Sequence, residues 1–355
     1  MKKLLMALAL FASCNSFATY TFIVAQEPGG GTSLWANIVA MHLEKHLGEK
    51  IVIRHIPGAR DIPGFNEFHN KLRFDDKTVM VSNGQNAESY LVEDVKYNFA
   101  DYEPIAGMNL TSVNSYLAEF DPYDASKKLT FSYGPGHNID AMSFVLLMCG
   151  NLPTMNAYLA CYRERMIYIK GMDGSSRRLA FLRKELNVTR ETTVAHIKHV
   201  QPLIANQTVK FWFSQGITDL KTGRVVADPN FPAMGSFEQA YIAKWGKKPS
   251  GSLFNAYMIA KQYRDVLQKA LWMNKGNPNA AKVKSAVAAM LNDPDAVKAL
   301  QADSGNYQWI LGQDLTNAIA NLNTQLTEQN LKDLVFWEKE AFDVNAQFKP
   351  LLLKQ

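Results

Sequence analysis

Three consecutive glycines, Gly29-Gly30-Gly31, followed by Thr32 and Ser33, are the first residues of this 355-residue chain whose types and spacing suit ligand binding. Glycine lets the backbone come close to a ligand, and the first amides of a helix point outward without an intrahelical partner. The chemistry on offer is therefore anion binding by backbone N–H groups and two hydroxyls. A second run of the same kind is Ser132-Tyr133-Gly134-Pro135-Gly136-His137-Asn138. There Gly134, Gly136 and Asn138 offer amides, and His137 a ring N–H within reach of a carboxylate oxygen. Each glycine taken singly reads better as a tight turn with no ligand. Two cradles together point to a carboxylate, which several amides and a helix dipole can hold without a full counter-charge.

Catalysis finds less support. The chain contains no GxSxG, HExxH, GxxxxGK[ST] or Ser-x-x-Lys pattern. His196 and His199 stand at i, i+3 on an expected helix, but no carboxylate at useful spacing completes a metal set, so they are read as exposed helix histidines. His42, His46, His55 and His69 are read as surface or packing residues. No cofactor, no metal and no enzymatic activity are expected.

The elements that position the cradles are legible around them. Tyr20-Thr21-Phe22-Ile23-Val24-Ala25 is β-branched and aromatic, as a strand should be, and Leu34 to Leu47 has the pattern of an amphipathic helix that Gly48 ends. Ile51-Val52-Ile53-Arg54, Thr78-Val79-Met80-Val81, Leu129-Thr130-Phe131, Met166-Ile167-Tyr168 and Lys210-Phe211-Trp212-Phe213 are further strands. From Ala256 onward the pattern reads as helices. Alternating strands and helices argue for an α/β class with mainly parallel sheets. Ligands in such folds sit beyond the carboxyl ends of the strands, so Ser82, Asn83, Gly84 and Gln85, after the third strand, join the candidates.

Residues 1–18 read as a secretory signal peptide. Lys2 and Lys3 precede the short apolar run Leu4 to Ala12, and Ser16-Phe17-Ala18 offers small residues at the cleavage positions. Phe11-Ala12-Ser13-Cys14 is the alternative, a lipid-anchoring motif with Phe in place of the usual Leu. Loss of the two lysines lowers the formal charge from +5 to +3. The remaining basic residues are scattered, unlike the clustered Lys/Arg of a nucleic-acid binder, so no nucleic acid is expected. Cys149 and Cys161 flank the turn Gly150-Asn151-Leu152-Pro153. In an oxidising compartment they could bridge, which would stabilise the fold by roughly 3 kcal/mol, or they could stay buried and unpaired.

The order of elements across 20–64 carries a more specific signal. A strand, the Gly29-Gly30-Gly31-Thr32-Ser33 turn, a helix ending in Leu47-Gly48, a second strand and Pro57-Gly58-Ala59-Arg60 resemble the Bug-type solute receptors of tripartite tricarboxylate transporters. Tyr97 to Ala106 resembles the family segment that leads toward the second domain. Met166 to Gly171 looks like its "YKG" strand end, and Leu182 to Thr189 its "GE-x-N/D" segment; these bring Tyr168, Lys170 and Asn187 into the candidate site. Phe231 to Glu238 is similar to the run that returns to the first domain.

The resemblance implies a two-lobed periplasmic binding protein fold of the type II kind with a ligand cleft between lobes. Lobe I would span 19–114 and 235–355, and lobe II 115–234. It further implies a periplasmic monomer that takes a small organic acid and delivers it to transporter membrane subunits by hinge closure. Trp35, Tyr133 and Tyr168 would pack either against the ligand body or in the core. The chain departs from the family at Ser33, where the turn commonly has Asp, at Asn37, where Arg is usual, and at Arg60-Asp61, which replace two glycines. The competing functions are an exported α/β hydrolase-like enzyme and a ligand-presenting sensory subunit.

Overall fold

A computed structural model describes residues 19–132, 138–172 and 174–354. The expected signal peptide with Cys14, and Tyr133, Gly134, Gly136 and His137 of the second cradle, lie outside the described residues. The amino-terminal part runs β1 (Thr19–Val24), α1 (Gly31–Leu47), β2 (Lys50–His55), α2 (Ile62–Asn70), β3 (Thr78–Asn83), α3 (Gly84–Val92) and β4 (Tyr102–Met108). The middle follows with β5 (Ser112–Leu117), β6 (Leu129–Phe131), α4 (Asn138–Cys149), α5 (Met155–Arg165), β7 (Met166–Tyr168), α6 (Gly174–Leu182) and β8 (Val188–Thr192). Then come α7 (Thr193–His199), α8 (Gln201–Ala205), β9 (Val209–Ser214), β10 (Ile217–Thr218), β11 (Val225–Val226) and α9 (Phe237–Trp245). The chain ends with α10 (Ser252–Val266), β12 (Lys269–Asn274), α11 (Ala280–Leu291), α12 (Pro294–Ser304), β13 (Trp309–Leu311), α13 (Gly312–Thr324) and α14 (Glu328–Phe342).

A six-stranded sheet of order β13-β4-β12-β3-β1-β2 and a three-stranded sheet of order β8-β5-β9 organise the two halves. The chain leaves the large sheet after β4, enters the small one at β5, and comes back along α10 into β12. That return fixes the pairing. The opening β1-β2 and β1-β3 ladders are parallel, as is β6-β7, because helical crossovers join successive strands. The returning β12 inserts between β3 and β4 antiparallel to both, β13 pairs antiparallel with β4, and the three-stranded sheet is antiparallel throughout. The α/β class stands, with parallel pairing among the described residues limited to those three ladders and an isolated bridge between Ser214 and Ser236. Strands β12 and β13 also correct the reading of 256 onward as helices. Ala270-Leu271-Trp272-Met273 is buried on both faces, and such a run has no period to separate strand from helix.

Strand β1 shows why the large sheet holds together. Tyr20, Phe22 and Val24 face Trp35, Val39 and Leu43 of α1, with α11 packed beside them. Ile23 faces the other core with Phe65 and Phe68 of α2. The alternation is what a strand covered on both faces requires. Helix α1 ends where Gly48 takes φ 72° and its N–H donates to the Glu44 carbonyl. Trp35 is fully buried and stacks on Trp309, so it belongs to the core. Cys149 and Cys161 are joined as a disulfide that ties the end of α4 to α5. No helix among the described residues is long and apolar enough to cross a membrane.

Candidate functional site

One cavity of about 260 Å³ opens where the carboxyl ends of β1 and β3 meet α6 and the end of β8. Gly30, Gly31 and Thr32 form one wall, with Pro57 to Asp61, Asn83 and Gln85 beside them. Gly171, Met172, Gly174, Ser175 and Arg177 face them, together with Arg190, Glu191 and Thr192. The floor comes from Arg264, Gln268 and Lys269, at the junction of α10 and β12.

The glycine turn is built as its composition dictates. Gly29 adopts φ 82°, a conformation that strains other residues, and Gly30 caps α1. The opposing wall lies so close that a Cβ on Gly31 would overlap the Thr192 hydroxyl. Arg178 donates an Nη2 hydrogen bond of 3.1 Å to the Gly29 carbonyl, latching α6 to the turn. Asn83 caps α3 in a reciprocal box with Asn86 and directs its own Nδ2 to Asp61 at 2.9 Å.

Cations dominate the floor and the wall facing the glycine turn. Arg190 is 3% exposed. Its Nε lies 3.3 Å from the Asp140 carboxylate, and its Nη2 has no hydrogen-bond partner among the described residues. Burial, reinforced by Arg264 and Arg177, pulls its guanidinium down to about 9 although Asp140 opposes the shift. Lys269 is fully buried, donating to Thr32 Oγ1 at 3.0 Å and to the Gln268 carbonyl at 2.9 Å. Burial and the charges of Arg190 and Arg264 push its ammonium well below the usual lysine range, with Asp61 pulling the other way. Arg264 is paired with Glu88 at 2.7 Å, and Arg177 with Glu191 at 3.2 Å. Lys269 has no carboxylate partner among the described residues. A buried cation held only by neutral acceptors is costly, and an incoming anion would relieve that cost.

The structure brings some sequence candidates together and separates others. Gly30, Gly31, Thr32, Asn83 and Gln85 line the cavity, and Gly29 shapes the turn behind them. Ser33 is turned inward, its Oγ 3.4 Å from His55 Nε2 and accepting the Gly29 amide. Ser82 is spent on the Trp272 indole at 2.8 Å within the sheet. Gly84 gives way to Arg264 and Gln268, whose side chains occupy the space a Cβ would need. Ser132 is buried and donates to the Ile169 carbonyl. Tyr168 packs edge-on against Phe342, and Lys170 is exposed, 3.4 Å from Asp343. Asn187 holds the start of β6 through the Thr130 amide and the Lys128 carbonyl. Asn138 begins α4. Ser33, Ser82, Gly84, Ser132, Tyr168, Lys170 and Asn187 therefore stand outside the cavity, because each is committed to packing, to a neighbouring backbone or to the surface.

His196 corrects another expectation. It is buried edge-on between Phe211 and Phe231, and burial pushes its imidazole down to about 4. The residues that sequence reasoning missed are Asp61, Arg177, Arg190, Arg264, Gln268 and Lys269. Arg190 and Lys269 did leave a signal, since each is a charge set in or beside a strand of β-branched or apolar residues.

No protein-family model matches the chain, and no curated protein matches it in sequence. Solved structures do share its fold. The periplasmic binding protein BugD is 14% identical, with 91% of this chain and 97% of that one covered at a TM-score of 0.60. MatC from Rhodopseudomonas palustris, solved with bound malate, is 18% identical, with 91% and 98% covered at 0.58. Another R. palustris protein, solved with adipate, is 13% identical, with 93% and 98% covered at 0.60. The two-lobed periplasmic binding protein fold is thus borne out over most of the chain.

Proposed function

We propose that this chain is an extracytoplasmic solute receptor that holds a small carboxylate-bearing metabolite between two lobes. The observation that carries the reading is the cavity itself: Arg190, with a buried N–H left without a partner, and Lys269, without a counter-ion, face a glycine turn at a helix start. Such a site lowers its energy by taking an anion. The fold shared with the periplasmic binding protein BugD and with proteins solved with malate and adipate supports the same reading. Lobe I would comprise 19–114 and 235–355, and lobe II 115–234. A ligand touching both would favour the closed arrangement, in which Arg178 meets Gly29, and transporter membrane subunits would recognise that form. The protein would act as a periplasmic monomer and leave its ligand chemically unchanged.

The test is to purify the exported protein, denature it, and identify released small molecules by mass spectrometry. The acid found should then be added back to ligand-free protein. At 100 times its dissociation constant it should stabilise the fold by about 2.7 kcal/mol and be recovered intact after long incubation. Release of only neutral or cationic molecules, with no thermal shift from any carboxylate, would defeat the proposal. Turnover of the acid would point to an enzyme instead.

A further inference from the structure

Asp61 and the exposed Glu27 are acidic residues on the glycine-turn side of the cavity that form no ion pair among the described residues, and Asp61 is the less exposed of the two. It sits in the segment 57–61, where Arg60 and Asp61 have φ of 57° and 58°. Two consecutive non-glycine residues in the left-handed region are strained, and such strain persists only where the surroundings hold it. Here Arg60 is drawn inward to Glu93 and Glu338, while Asp61 is turned to the cavity. Its Oδ2 accepts two hydrogen bonds, from Gln26 Nε2 at 2.8 Å and Asn83 Nδ2 at 2.9 Å, so side chains following β1 and ending β3 fix its orientation. Its Oδ1 takes no hydrogen bond from any described residue.

The cavity is thus bipolar, with cations on the floor and a fixed acceptor in the wall. Lys269 and Arg264 are near enough to act electrostatically on Asp61. A ligand whose only polar groups were carboxylates would set like charge against Asp61. An ammonium group would suit Asp61 but would be repelled by Lys269, Arg190 and Arg264. A hydroxyl satisfies the acceptor and carries no charge for the cations to repel.

Resting on the receptor reading above, we infer that Asp61 accepts a hydrogen bond from a hydroxyl group of the ligand, so that the cleft selects a hydroxylated acid over its deoxy and amino counterparts. The test is calorimetric titration of ligand-free protein with matched sets of different length: lactate and propionate, malate with succinate and aspartate, 2-hydroxyglutarate with glutarate and glutamate. Within the best-bound set, the hydroxy acid should bind at least about tenfold more tightly than the deoxy acid, as a hydrogen bond to a charged acceptor implies. Asp61→Asn keeps an oxygen for Gln26 and Asn83 but removes the charge. It should shrink the ratio to within about threefold and tighten binding of the deoxy acid, an opposite-sign change that general damage would not produce. Asp61→Ala should shrink the ratio as well. Equal binding of hydroxy and deoxy acids, preference for the amino acid, or a ratio unchanged in both variants would overturn this inference and leave the receptor intact. Failure of every acid in every set would overturn the receptor reading, and this inference with it.

Discussion

The cavity floor and the ionic cluster behind it use the same residue types but match their charges differently. Behind the cavity, Arg60 is bound to Glu93 through Nε and lies 3.3 Å from Glu338 through Nη2, all three side chains being buried or nearly so. In the cavity lining, Arg190 keeps an N–H without a partner among the described residues, and Lys269 relies on a hydroxyl and a carbonyl. The Arg264–Glu88 pair stands between the two clusters. One cluster has a carboxylate for every guanidinium and holds α3, α14 and the 57–61 segment together. The other leaves Lys269 without a carboxylate and one N–H of Arg190 without a partner among the described residues, both lining open space. Burial alone does not mark a binding site; burial with an unmatched charge at a cavity does.

The contrast can be broken by treating its two arginines alike. Arg60→Leu should lower the unfolding free energy by about 3–5 kcal/mol in urea titrations, because it strands buried carboxylates. Arg190→Gln should leave stability within about 1 kcal/mol, since it relieves repulsion from Arg264 and Arg177, while Asp140 keeps hydrogen bonds from Gln215 and Asn114. Its loss should appear in calorimetry, as an affinity for the recovered acid weaker by about 10–100-fold. Equal destabilisation by both substitutions would erase the distinction.

Closure gives a smaller effect. Gly31→Ala would place a methyl against the Thr192 hydroxyl and should weaken ligand binding by about fivefold, within the usual range for overpacking. Adding Thr192→Ala should restore most of the affinity; if it restores none, the two walls do not meet in the liganded form.

A further effect is a slope with pH. Burial pushes Glu338 up to about 8, with Arg60 opposing and Glu88 and Glu93 reinforcing. In the unfolded chain the same carboxyl ionises near 4.5. Between those values the folded protein binds the proton that the unfolded chain has lost. Stability should therefore fall as pH rises across that window, by at most about 1.4 kcal/mol per pH unit from this group. Glu338→Gln should flatten the slope in denaturant titrations at several pH values, and a slope unchanged in the variant would assign it elsewhere.

The glycine-turn wall was legible because its residues are neighbours in sequence. The β-branched run before Gly29, the apolar stripe of α1 and the stop at Gly48 are local signals, and they carry the resemblance to the receptor fold. Asn83 was legible for a similar reason, as the polar end of a buried strand. Ser33 and Ser82 satisfied the same local rule, yet their hydroxyls found His55 and Trp272 in the folded chain. Nothing near them in sequence distinguishes a hydroxyl facing the ligand from one facing an indole.

By itself the sequence determined the α/β class, the turn at the first strand–helix junction and the two cysteines placed to meet. Those properties depend on periodicity and on conformations that single residues favour. Tertiary structure decided the charge of the cavity. Asp61, Arg190 and Lys269 come from segments more than a hundred positions apart in part, and a charged residue in isolation reads as solvated surface. Only the return of α10 and β12 beneath the glycine turn buries them together. Whether a buried charge stabilises the fold or waits for a ligand depends on which partners reach it, and partners distant in sequence are set by packing.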